Sequence, residues 1–172
     1  MTYLNNETIL VSQTDMHSIV GINVRTLQLS GHLVGATDNA GSDYDGPNTD
    51  IRITSPSGNH YSKDLEKLYF TSLVHAGIFV SSFVTGQTYT WLDTVAQSSS
   101  LQFTSSEEHL LVGVDFGVMK INRNTEETQW ITGSDTSGDA VDSPMTTEYG
   151  FVADFILLAD DVVLITDKAQ NR

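Results

Sequence analysis

The chain has 172 residues, 39% hydrophobic and 17% charged, a composition that folds and is expected to do so as one domain. Its 22 acidic against 8 basic residues give a formal charge of −14. A field of that sign repels phosphate backbones and anionic headgroups, so neither nucleic acid nor a membrane surface is an expected partner.

The absence of cysteine removes disulfides, thiol nucleophiles and sulfur-ligated zinc. No run approaches the ~18 apolar residues of a membrane span, so no membrane insertion is expected. Met1 opens no charged, apolar, small-residue leader, and no secretion signal is expected in this sequence. Asn6-Glu7-Thr8 has the pattern of a glycosylation acceptor, which makes Asn6 a candidate and is a weak pointer to an extracellular setting.

In chain order, short apolar runs rich in β-branched residues alternate with Gly, Ser, Asn and Asp clusters, and no window keeps a helical period. Strands are expected at Ile9–Gln13, Ser18–Val24, Gly31–Ala36 and Asp50–Thr54. Further strands are expected at Lys67–Ser72, Gly77–Ser82, Thr88–Leu92, Ser100–Thr104 and His109–Val114. The last four are Gly117–Asn122, Glu127–Thr132, Asp154–Ala159 and Val162–Asp167. The fold class is all-β.

These strands fall into a repeating order of four short strands per unit. The clearest copy runs over 100–133, a second over 50–94, and two partial copies over 2–36 and 154–172, all within one domain spanning 1–172. Trp91 and Trp130 stand 39 residues apart, one blade length, and with Leu92 and Ile131 they are expected to pack between units. A sugar-binding platform is the alternative for exposed rings. The linkers 37–49 and 134–153 repeat as well. Ala36 to Pro47 aligns without a gap on Gly133 to Pro144, setting Asp38 on Asp135, Gly41 on Gly138, Asp45 on Asp142 and Pro47 on Pro144.

A Gly- and Asp-rich linker, a proline, then an apolar strand ending in Asp resembles the NHL-repeat type of β-propeller, and Val162 to Arg172 carries the best single match. The resemblance implies an array of four-stranded antiparallel blades, about three to four of them, against the commoner six or seven. Such an array is incomplete. Its end units would expose apolar faces and strand edges, which a homo-oligomeric ring or a head-to-tail filament would cover. A piece of a longer extracellular propeller is a further reading.

The Asp-rich linkers offer hard oxygens of the kind calcium takes: Asp38, Asp43 and Asp45 with Asp50 in one, Asp135, Asp139 and Asp142 in the other. Neither follows the EF-hand pattern, and the same residue types serve irregular turns, which is the preferred reading. Of the five histidines, His17, His32, His60, His75 and His109, none pairs with another at a metal-binding spacing. His17 and His75 follow equivalent strands and are the candidates for a metal on a propeller axis, although a histidine after a strand is more often a hydrogen-bonding loop residue.

No nucleophile elbow, phosphate loop or dinucleotide fingerprint is present. The pairs Glu107-Glu108, Glu126-Glu127 and Asp160-Asp161 are expected at solvated hairpin tips. The sequence therefore points to a noncatalytic structural or interaction protein without a cofactor, calcium excepted, that acts outside the cell. The alternative is a propeller-type metal-dependent hydrolase or lyase.

Overall fold

The computed structural model describes residues 1–36, 40–42, 44–93, 98–133, 152–159 and 162–167. The chain divides into two compact units, Met1–Gln97 and Ser98–Arg172, a boundary that falls between repeat units. Among the described residues there are strands and turns but no helix.

The first unit holds two meanders. β1 (Thr2–Tyr3), β2 (Thr8–Gln13), β3 (Ser18–Asn23) and β4 (Leu29–Val34) form the first sheet, in that order and antiparallel throughout. The short β1 supplies a fourth strand to a copy that the sequence alone shows as three. β5 (Gly46–Pro47), β6 (Pro56–Ser62), β7 (Lys67–Ser72), β8 (Ile78–Ser82) and β9 (Gln87–Leu92) form the second sheet, in the order β5-β9-β8-β7-β6. In the second unit, β10 (Ser98–Phe103), β11 (His109–Val114), β12 (Gly117–Asn122) and β13 (Thr128–Gly133) make the third sheet. β14 (Val152–Ala159) and β15 (Val162–Asp167) make a terminal hairpin.

The expected strand at Asp50–Thr54 is not one, apart from a single bridging residue at Arg52. Its alternation is real, but it serves a connector: Ile51 and Ile53 are 2% and 1% exposed and plug the core, while the Ala36 N–H donates to the Ile51 carbonyl at 2.8 Å. The opening strand of that copy is β6 instead. Its buried residues include Asn59 and Ser62, and Pro56 and Gly58 further disguise it as a loop.

The repeat is written most clearly in the turn between the third and fourth strands of each sheet. The Asn23 Oδ1 accepts the N–H groups of Arg25 and Thr26 at 2.9 and 3.0 Å, and the Leu27 N–H returns to the Asn23 carbonyl. Asn122 does the same for Asn124, Thr125 and Glu126. In the second sheet the Ser82 Oγ accepts from Thr85, and the Gly86 N–H donates to the Ser82 carbonyl. The closing residue is left-handed each time, with φ of 57° at Leu27, 68° at Gly86 and 60° at Glu126. Only Gly86 adopts that conformation without a Cβ penalty.

Each fourth strand also carries a bulge at one structural position, which inserts Leu33, Trp91 or Ile131 between paired residues. Trp91 therefore corresponds to Ile131, and Trp130 to Thr90. The alignment of one tryptophan on the other is one residue out of register, and such a slip turns a side chain to the opposite face. Neither ring sits in the core. Trp91 is half-buried edge-on against Tyr69, with ring centroids 5.5 Å apart, and Trp130 is exposed.

Candidate functional site

Because side chains alternate along a strand, each sheet has two faces, and the register fixes which residues share one. The front face of the first sheet carries Leu10 and Ile19; its back carries Ile9, Val11, Val20 and Ile22. In the first unit that front is covered by Leu68, Phe70 and Phe79, which lie on the back of the second sheet. Tyr44 stacks on Phe79 at 3.8 Å between centroids, and Val34, Ile51 and Ile53 complete the cluster. Polar ties fix the stacking: the Asn59 Nδ2 donates to the Ser12 Oγ at 2.7 Å, and the Thr14 hydroxyl to the Pro56 carbonyl at 3.1 Å.

The second unit repeats the arrangement. Leu111 and Val118 on the front of the third sheet are covered by Phe155, with Leu157, Val163 and Ile165, from the back of the terminal hairpin. The Val152 N–H donates to the Asp115 carbonyl at 2.8 Å, the Ser99 hydroxyl to the Val152 carbonyl at 3.1 Å, and the Leu157 N–H to the Gln102 Oε1 at 3.1 Å.

The front of the hairpin is different. Ile156, Leu158, Val162 and Leu164 are 52%, 59%, 44% and 54% exposed. Aliphatic side chains contiguous on one surface are the mark of a face made to be covered. The sequence carried a signal for it: Phe155 to Ala159 and Val162 to Ile165 are continuous apolar runs rather than alternating ones, the pattern of strands with two dry faces.

Of the candidate calcium ligands, Asp38, Asp43, Asp135, Asp139 and Asp142 lie outside the described residues. Asp45 is described, and its Oδ1 accepts the Thr90 N–H at 2.6 Å, a connector-to-strand tie. Asp50 accepts from the Thr49 hydroxyl beside it. Among the described residues no three His, Asp or Glu side chains come together as a metal site.

His17 and His75 belong to the turns after β2 and β7, and Thr54-Ser55 joins those turns. The His17 Nδ1 accepts the Ser55 N–H at 3.2 Å, while the Ser72 Oγ donates to the Thr54 carbonyl and accepts the His75 N–H. The His75 ring meets Tyr44 edge-on at 5.5 Å. Burial pushes the Tyr44 hydroxyl above its ordinary pKa of 10.0, against the opposing pull of its hydrogen bonds with Thr54 and Ser72. Both histidines thus act as loop fasteners here. His109 borders a shallow polar depression with Lys120, Asn122 and Glu127. His32 stands on the back of the first sheet opposite Val20, and among the described residues its solvent-shielded Nδ1 has no hydrogen-bond partner.

Asn6 is exposed in the turn between β1 and β2. Glu107 and Glu126 are left-handed residues of hairpin turns, and Glu107 lies 3.9 Å from Arg123. Asp160 and Asp161 lie outside the described residues.

No family model matches the chain, and no curated protein sequence does either. Solved structures do. The hydrazine synthase of Kuenenia stuttgartiensis matches with a TM-score of 0.55 at 14% identity, over 77% of this chain and 34% of that one. An auxiliary nutrient binding protein from Bacteroides thetaiotaomicron matches with a TM-score of 0.57 at 15% identity, over 96% of this chain and 50% of that one. At such identities the likeness is one of fold. The chain is all-β, its described residues forming antiparallel sheets of the propeller type, two of four strands, one of five and a terminal hairpin, and it spans about a third and a half of the lengths of these two proteins.

Proposed function

We propose that the chain is a noncatalytic interaction module of the propeller type, whose working surfaces are the faces of its blades. The observation that carries this reading is the bare aliphatic face of the terminal hairpin, set against the covered fronts of the first and third sheets. A synthase and a nutrient-binding protein share the fold, so fold alone does not select an activity, and the reading rests on the surface itself.

Light scattering of the purified chain beside an Ile156→Glu, Leu158→Glu double variant tests it. The wild type is expected to form assemblies that the double variant does not; equal behaviour removes the reading. Elemental analysis of the same sample addresses the hydrolase or lyase alternative, which requires stoichiometric metal. An extracellular setting and an NHL-type blade are parts of this proposal. The exposed Asn6 supports the former, and secretion from a glycosylating host, with loss of the glycan in Asn6→Gln, would bear it out.

A further inference from the structure

We infer that the open front of the terminal hairpin seats the back of the first sheet of a second copy, so that copies associate head to tail. This rests on the reading above and goes beyond it by naming the occupant.

The chain states its own stacking rule twice: a front face receives a back face. Strand register makes Leu10, Leu111 and Leu164 equivalent front positions. Where the front is covered, Leu10 and Leu111 are 0% and 2% exposed, whereas Leu164 is 54% exposed. The hairpin front is therefore an unfilled seat for a back face.

The back of the first sheet is the matching part: Val20 at its centre is 0% exposed, and the face opens toward its rim. Ile9 and Val11 occupy the positions of Leu68 and Phe70, which are fully buried on the back of the second sheet; Ile9 and Val11 are only half-buried. At the rim Tyr3 and Leu29 stand open. His32 stands on this face too, opposite Val20.

A contact between two different faces is heterologous, so a pair of copies keeps one unused face of each kind, and the assembly closes as a ring or grows as a filament. With −14 charges on each copy, mutual repulsion opposes association and salt relieves it.

Sedimentation of the full chain over a range of concentration and salt, with two variants, tests the inference. Leu164→Glu spoils the hairpin front, and Tyr3→Glu with Leu29→Glu spoils the first-sheet back; all three positions are exposed, and circular dichroism checks folding. The wild type is expected to gain mass with concentration, more so at high salt. Each variant alone stays monomeric, with association at least about a hundredfold weaker, because a carboxylate would be buried unpaired. Leu164→Ser gives a smaller loss of the same sign. The decisive sample is an equimolar mixture of the two Glu variants, which forms a one-to-one pair and stops there, since each retains one sound face.

A wild type that is monomeric throughout overturns the inference, as does a mixture that does not pair. If the hairpin variant fails to assemble while the first-sheet variant behaves as wild type, the hairpin remains an interaction surface but its occupant is not the first sheet of a second copy. If neither variant changes the assembly, the interaction reading fails as well.

Discussion

The two stacked sheet pairs follow one plan and end in different states. In the first unit, Phe70 and Phe79 drive an aromatic back face into Leu10, Ile19 and Val34, and a connector adds Tyr44, Ile51 and Ile53 to the seam. In the second unit, Phe155 is the one large ring of the buried cluster, and the sheet that supplies it has two described strands and an uncovered front. A blade has little core of its own, so its stability comes from what lies on both faces, and the half-covered hairpin is where the chain depends on something further.

The comparison is tested hardest by truncating the aromatic residue of each seam. Phe70→Ala is expected to cost about 4 kcal/mol in urea unfolding of the first unit, from lost transfer energy plus the cavity left behind. Phe155→Ala should cost about 3 kcal/mol or less, since its neighbours are partly exposed and collapse more easily. A larger loss at Phe155 would mean that the hairpin is the better packed of the two.

Next in size is Gly35→Ala, where φ is +89° and an added Cβ would lie 2.6 Å from the His17 carbonyl oxygen. Strain of about 2 kcal/mol is expected there, readable as a lower denaturant midpoint. The repeated turn gives smaller steps: Asn122→Ala loses two side-chain hydrogen bonds and about 1 kcal/mol. Leu27→Gly should gain about 0.5–1 kcal/mol by relieving a left-handed leucine.

A pH profile separates the units in another way. The folded Tyr44 holds its proton more tightly than the unfolded chain does. Its contribution is therefore complete below pH 10 and declines as pH rises through the folded value. Chemical denaturation on either side of pH 10 should show this decline, and Tyr44→Phe should reduce it to the part that Tyr61, also raised by burial, contributes. The smallest expected effect is Glu7→Gln, which removes an ion pair to Arg25 between side chains 52% and 73% exposed and should shift stability by less than about 0.5 kcal/mol.

Much of the fold is legible in the sequence because the inner strands carry their burial openly: Leu68-Tyr69-Phe70 and Ile78-Phe79-Val80 read as strands by composition alone. β6 is hidden because its buried positions are polar and its job is to tie two sheets through Asn59. The false strand at Asp50–Thr54 shows the converse, since Ile51 and Ile53 alternate as a strand would while serving a connector. The tryptophans misled by one residue because a bulge adds a position that composition does not reveal. A truer marker of the repeat was present in Ile22-Asn23-x-x-Thr26 and Ile121-Asn122-x-x-Thr125, whose physical content is a side-chain cap on a left-handed turn. Of the candidate sites, the hairpin surface was legible only as an apolar run, because exposure depends on which neighbours arrive.

The short strand β5 bears on how such a chain stays out of trouble. Gly46 and Pro47 pair with Thr88 and Gln87 along the outer strand β9, and Asp45 takes the amide of Thr90. Proline presents no amide of its own, and a carboxylate beside it discourages a further strand from docking. On this side the second sheet is blunted against templating, so cross-β growth along that rim is suppressed.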